Sequence, residues 1–429
     1  MATRSIRIGV NAQPGTPASR DESANDMKTD RGAEPATIFM AAYTNYRRDP
    51  RVRREAEALV GAGYRVVFLA SRQPGEPKRE AIDGVQVFKS HSLMNRRTSM
   101  ASYLLNYAWF FLALMGHLIA HPLRYRLIHI NNMPDFLVFA AWLPRLLGTP
   151  VIHDVHDLMP DLFQEKFRSG ERHWIVGALK FQERWAGCFA TAVLTVEERL
   201  KDILSRRGVP AGKIHVLMNL PDDRIFRPRS APPTKTADGS FVLVYHGTLA
   251  RRLGLDLAIQ AVAKAKTEVP RIELRIIGAG EERAALLALR DALGLGEAVT
   301  FSDGFVPVQS VPGLIADADA GIVPLRISSG TDIMLPTKLL EYVTMGIPCI
   351  TPKTGTIARY FDHSMVQFFE AENVDSLASA IVSLAQNPQR RAALASESSR
   401  RFAAAYSWSQ HKSLYIDLVR RLTRSGGAR

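Results

Sequence analysis

Residues 320–350 read AGIVPLRISSGTDIMLPTKLLEYVTMGIPCI, and Thr351 follows. The run from Gly321 to Leu325 has the length and apolarity of a buried strand. Ser328, Ser329 and Gly330 mark a loop. Pro336 stands where a helix would start, Lys338 and Glu341 fall in its first turns, and Gly346 with Pro348 stop it before a second apolar run begins at Cys349. Strand, loop, helix, strand is the repeating unit of a parallel sheet. A glycine-containing loop that feeds a helix N-terminus also gathers unpaired N–H groups and the positive end of the helix dipole, a setting for phosphate. Lys338 adds a full positive charge there. Glu341, one turn on, can accept hydrogen bonds from a diol such as ribose. The same pattern also fits an ordinary crossover carrying a solvated Lys–Glu pair.

Outward from this block the alternation continues. FVLVYHGT is a strand ending in His246, Gly247 and Thr248, and LRIIGAGEERAALLALRDALGL is a strand, a glycine turn and a helix. Gly278 and Gly280 open a pattern like the dinucleotide-binding GxGxxG, but Arg283 stands where its third glycine belongs, which leaves a nicotinamide site weakly supported. The glycines would let a ligand approach the backbone closely. In the first half ATIFMAA, YRVVFLA and VQVFKS read as strands; Asp49 caps a helix that Pro50 opens. Two α/β domains of nearly two hundred residues each are expected from a chain of 429. We place a disordered tail at 1–35, a first Rossmann-like domain at 36–220, a second at 221–405 with a Pro- and Asp-rich linker at its start, and a closing helix with its tail at 406–429.

Composition narrows the classes. The hydrophobic fraction, 46%, is that of a soluble globular protein. Cys188 and Cys349 form no CxxC pair, so neither a zinc site nor a disulfide framework is suggested, and a reducing cytoplasm fits. The first residues lack the apolar core of a signal peptide. Residues 1–230 hold 33 Lys and Arg against 23 Asp and Glu, so the first half is expected to meet something acidic. A pI near 9.9 permits nucleic acid, but no motif for it is present, and none is expected as a partner. Arg47, Arg48, Arg51, Arg53 and Arg54 crowd the loop after the first strand, where a phosphate contact and a solvated helix face are both open. YLLNYAWFFLALMGHLIA at 103–120, with arginines on either side, suits a helix on anionic lipid; burial in the first domain and a bilayer span are the alternatives.

Parallel sheets bind ligands beyond the carboxyl ends of their strands. LIHINNMPD ends one strand in Asn131, Asn132 and Asp135, and VIHDVHD ends another in His153, Asp154, His156 and Asp157. Tyr43, Asp49 and Arg51 lie at the same edge. His153 is expected to pack in its strand, while His156 is the functional choice, able to hydrogen-bond in either direction. No HExxH-like helix spacing supports a metal.

The order VYHGTL, LRIIGAGEE, VTFSDGFV, DADAGIVPL, LPTKLLEYVTMGIPCI, together with DPRVRREAEALVGAGYRVV and PVIHDVHDLMPD, resembles the retaining glycosyltransferases of family 4, near their bacterial polysaccharide-assembly branch. The resemblance covers about residues 36–420. It implies the GT-B fold: α/β, two Rossmann-like domains facing across a cleft, with the last helix crossing back to the first. It implies a nucleotide-diphosphate sugar, UDP- or GDP-linked, in the second domain, a lipid-linked or saccharide acceptor in the first, and no metal or other cofactor. The cysteine usage, the basic first half and the apolar 103–120 stretch, rather than the resemblance, place the protein in the cytoplasm or peripherally at the inner membrane face, with an anionic membrane surface as a further partner.

Carried over residue by residue, Glu341 matches the second Glu of the family's E-x7-E motif; the first falls on Ile333, and Asp332 beside it is the expected substitute. The family's Arg and Lys for the diphosphate fall on Thr248 and Leu253, so Arg251 and Arg252 between them, with Lys338, are expected to serve. Gly247 would admit the phosphate, Leu335, Pro336 and Thr337 would meet sugar and phosphate through their amides, and Val306 would meet the base. His156 matches the cleft histidine, and Asp157 is a candidate base or turn cap. A nucleotide-sugar epimerase of the same architecture and a non-catalytic partner subunit are the competing readings.

Overall fold

The computed structural model describes residues 35–91, 100–167, 173–229 and 239–425. All but Pro35 of the expected tail at 1–35, and residues 230–238 of the linker, lie outside them. Those from Ala36 onward form one compact unit built on two sheets.

The first sheet starts in its middle. β1 (Thr37–Ala41) pairs parallel with β2 (Arg65–Ser71) on one side and β5 (Leu127–Asn131) on the other. The full order is β3-β4-β2-β1-β5-β6-β7-β8, with β3 Arg79–Ile82, β4 Val85–Ser90, β6 Val151–Val155, β7 Ala192–Thr195 and β8 Ile214–Val216. Only β3 runs antiparallel, a hairpin edge the apolar pattern did not announce, because its residues are half exposed. The second sheet repeats the plan, all parallel: β9 (Phe241–His246) sits centrally in the order β11-β10-β9-β12-β13-β14. Its other strands are β10 Ile272–Ile277, β11 Val299–Phe301, β12 Ala320–Ile322, β13 Cys349–Pro352 and β14 Gln367–Phe369. In each sheet the chain reverses direction beside the central strand, between β1 and β5 and between β9 and β12. There the crossovers leave to opposite faces and a crevice opens at the carboxyl ends.

Helices cover both faces. α1 (Pro50–Gly61) is capped as expected: the Asp49 carboxylate accepts from the N–H groups of Arg51 and Val52 at 3.2 and 3.4 Å. It packs on one face of the first sheet. The opposite face carries α2 (Met100–Ala120), a 3-10 turn at Asp135–Ala141 leading into α3 (Trp142–Leu146), and α5 (Trp174–Phe189). Leu137, Val138 and Ala140 of the 3-10 turn pack tightly into the core, and Pro144, which lacks an N–H, follows it in α3. α4 (Met159–Phe167) and α6 (Glu198–Arg206) follow β6 and β7.

On the second sheet α7 (Leu255–Ala265) and α8 (Arg283–Ala292) cover one face, joined by α13 (Val374–Gln386). α9 (Val311–Ile315), α11 (Thr337–Met345) and α12 (Ile357–Tyr360) cover the other, and a short α10 (Ser329–Asp332) occupies the loop before α11. α14 (Pro388–Ala405) adds Phe402 to that core. α15 (Trp408–Ser425) then returns to the first sheet, where Trp408, Tyr415, Leu418 and Val419 are buried against β1, β5 and α1 residues. That is the crossover the resemblance implied. Arg54 of α1 binds it in place: its buried guanidinium stacks over the Trp408 ring at 4.5 Å and donates to the Asn219 side chain at 2.9 Å and to the Leu220 carbonyl.

Candidate active site

Three adjoining cavities of about 260, 370 and 360 Å³ form one cleft between the carboxyl ends of the two sheets. Arg252, Met334, Pro336 and Thr337 are shared between the first and third, and Arg51 between the first and second.

On the second-sheet side Pro336 is the N-cap of α11 and Thr337 its first residue, so the free N–H groups of this helix open into the cleft. Lys338 reaches past them. Its Nζ donates to the Tyr245 hydroxyl at 2.9 Å and lies 4.3 Å from that ring. Burial, partly opposed by Glu341, lowers its pKa to about 8. Gly247, at φ +118, sits opposite, and a Cβ there would stand 3.4 Å from the lysine amine. The Glu341 carboxylate is anchored by His246 Nε2, while His246 Nδ1 meets the Tyr342 hydroxyl at 3.0 Å. Val306 and Phe305 close the outer wall.

On the first-sheet side His156 is buried at the end of β6. Its Nε2 donates to the Asn131 side-chain oxygen Oδ1 at 2.9 Å and faces the Asp154 carboxylate at 3.4 Å, which fixes the proton on Nε2. Nδ1 is therefore an acceptor, and it has no protein partner among the described residues. Burial, then the nearby Arg51 charge, hold the ring well below the usual histidine range, so it is neutral near pH 7. Behind it the Tyr415 hydroxyl donates to His129 Nδ1 at 2.8 Å, and His129 Nε2 faces Asp154 at 3.3 Å. Burial works against the Asp154 charge, but the histidine donors outweigh it and keep the carboxyl ionised. Glu55, His129 and Asp154 bring ligand-type atoms within 4.8 Å of one another. With both His129 nitrogens already engaged, His129 and Asp154 read as a hydrogen-bonded pair supporting His156, and Glu55 lies beside them buried.

Most of the expected residues thus meet: Gly247, Arg252, Val306, Leu335, Pro336, Thr337, Lys338 and Glu341 face Asp49, Arg51, His156 and Asp157 across the cleft. Five do not. Asp332 lines none of the cavities; its carboxylate pairs with Arg199 of α6 and accepts from the Gly355 N–H at 2.7 Å, so it ties the two halves together. Arg251 is exposed and lines none of the three cavities, whereas its neighbour Arg252 lines two. Tyr43 packs edge-on against Tyr107 and Phe110 of α2. Asn131 and Asn132 sit behind the wall, where Asn132 accepts from the His156 N–H at 3.0 Å and donates to the Asp157 carbonyl at 2.8 Å. They orient the histidine and do not line the cleft. Gly278 and Gly280 also let backbone pack on backbone, since a Cβ on either would collide with the Gly247 or Leu249 carbonyl, and Gly278 lines the third cavity. The sequence marks His246 only as a strand end and gives Tyr245 no role, although their place at the end of a central strand is a usable signal.

Two family models match the chain, one described as a glycosyl transferase 4-like domain over residues 49–219 and one as glycosyl transferases group 1 over 226–401. The chain is 29% identical over 156 residues to a GDP-mannose-dependent alpha-(1-6)-phosphatidylinositol monomannoside mannosyltransferase of Mycolicibacterium smegmatis, covering 36% of this chain and 41% of that one. It is 25% identical over 289 residues to a 2-deoxystreptamine glucosyltransferase of Streptomyces kanamyceticus, covering 64% and 74%. The match therefore spans less than half of the first relative's length. Among solved structures, a sucrose-phosphate synthase from Thermosynechococcus elongatus superposes with a TM-score of 0.75 at 18% identity, over 91% of this chain and 100% of that one, which is likeness of fold.

Proposed function

Because this chain belongs to the family 4-like glycosyltransferases, matched over residues 49–219 and 226–401, we propose that it moves a sugar from a nucleotide-diphosphate sugar to a lipid-linked or saccharide acceptor. The observation that carries this reading is the convergence of the α11 N-terminus, Lys338 and Arg252 on one cavity beside Gly247. A helix N-terminus and two cations suit a diphosphate. In that reading Glu341, held by His246, accepts from the ribose hydroxyls, and the neutral His156 accepts a sugar hydroxyl at Nδ1. We assign Asp157 to the acceptor hydroxyl.

Transfer breaks the bond between the anomeric carbon and the diphosphate oxygen and forms one to the acceptor oxygen; the acceptor proton passes to the departing diphosphate. Charge grows on that oxygen, and fixed cations in a water-poor cleft act on it most strongly. These protein groups suffice for the donor, so we expect neither metal nor other cofactor. A phosphatidylinositol mannoside acceptor in the name of one relative supports the lipid-linked alternative, with the protein at the cytoplasmic membrane face. The test is transfer and donor hydrolysis with a panel of UDP- and GDP-sugars; silence from all of them would end the proposal.

A further inference from the structure

α2 is apolar all the way round, yet it is a surface helix. Its inward stripe, Asn106, Phe110, Leu114 and Leu118, recurs every four residues and is buried against the first sheet. A helix in this position ordinarily turns charged residues outward. Instead the outward side of α2 presents Leu105, Trp109 and Leu112, and from Met100 to Ala120 there is no Asp, Glu, Lys or Arg.

The neighbours in the same layer continue the pattern. α3 exposes Trp142 and Leu146. α5 exposes Trp174, Phe181 and Trp185. Four of the chain's five tryptophans, Trp109, Trp142, Trp174 and Trp185, are thus 40, 46, 76 and 58% exposed on one helical layer, and only Trp408 is buried. Such a patch marks a docking face, since monomeric proteins rarely leave one open. Its charges say to what. The three helices contain one carboxylate, Glu183, buried and paired with Arg207. Lys180, Arg184 and Arg145 lie on the layer, and Arg124 and Arg126 follow α2. Aromatic rings with cations and no exposed acid match the interface of a negatively charged bilayer. Among the described residues no helix is long and apolar enough to cross a membrane, so the layer would lie on it.

We propose that the α2–α3–α5 face docks on anionic lipid. The face borders the cleft: Tyr43, packed on Tyr107 at 4.8 Å, is followed by Thr44, which lines it. Docking there would bring the cleft mouth to the lipid surface. It deepens the lipid-acceptor reading, but vesicle binding needs no sugar donor, so the two can fail separately.

The full chain is sedimented with vesicles of phosphatidylcholine alone and of phosphatidylcholine with phosphatidylglycerol, following tryptophan emission. We expect binding to the anionic vesicles with a blue shift, weakened by salt. Trp185→Glu with Leu105→Glu, both outside the cleft, should weaken binding about tenfold or more at unchanged Tm. Lys180→Glu with Arg184→Glu should reduce it by about tenfold through charge alone. Equal binding to neutral vesicles would overturn the assignment to anionic lipid. So would no binding at all, or a stable dimer that shields the four tryptophans.

Discussion

Lys338 makes an unusual forecast: removing it should strengthen the fold while disabling donor binding. Its side chain is half-buried in the cleft wall, and its pKa of about 8 against the ordinary 10.5 means that the charged form is disfavoured in the folded protein. At 1.36 kcal/mol per unit that is about 3 kcal/mol at neutral pH. Lys338→Met keeps the length of the side chain and loses the hydrogen bond to Tyr245, worth about 1 kcal/mol. The variant should therefore be more stable by about 2 kcal/mol, a rise of roughly 4–8 °C in Tm if it unfolds as units of 150–250 residues. The pH dependence has a definite sign. Between pH 8 and 10.5 the unfolded chain holds the lysine proton and the folded one has lost it, so wild-type stability climbs toward that of the variant over this range. Donor binding moves the other way. A charged hydrogen bond to phosphate contributes about 1.5–3 kcal/mol, so nucleotide affinity should fall about tenfold to a hundredfold. Wild-type affinity should itself weaken as the pH rises past about 8. Denaturant titration of both proteins from pH 6 to 10, with calorimetric binding of UDP and GDP, reads all of this. A variant less stable than wild type would refute the reasoning, because Lys338 would then be a strut for Tyr245.

The remaining predictions are briefer. Glu341→Gln should weaken nucleotide affinity about tenfold, whereas Asp332→Asn should leave it within about twofold, since Asp332 faces Arg199 and not the cleft; calorimetry separates them. Tyr415→Phe removes the donor to His129 and loosens the support of His156, so kcat should drop by about threefold to tenfold while the donor KM holds. Gly278→Ala would put a Cβ 2.0 Å from the Gly247 carbonyl at φ +144, and should cost about 2 kcal/mol or more in a denaturant titration.

Local chemistry made much of this legible in advance. Apolar runs broken by turn residues announce buried strands, and the caps at Asp49, Pro336 and Gly346 mark helix ends because their causes are neighbours in the chain. Lys338 and Glu341 could be placed at the cleft from sequence because a helix start fixes which of its residues lie near the free N–H groups. What failed was partner choice. Asp332 differs from a donor ligand only by Arg199, 133 residues away, and of the near-equivalent Arg251 and Arg252 only the second lines the cleft. The path from Tyr415 to His156 joins residues 286 apart across the first pair alone. Sequence fixes secondary structure through short-range forces; the pairing of buried polar groups is settled by desolvation, which exists only once the two halves and the last helix have closed on one another.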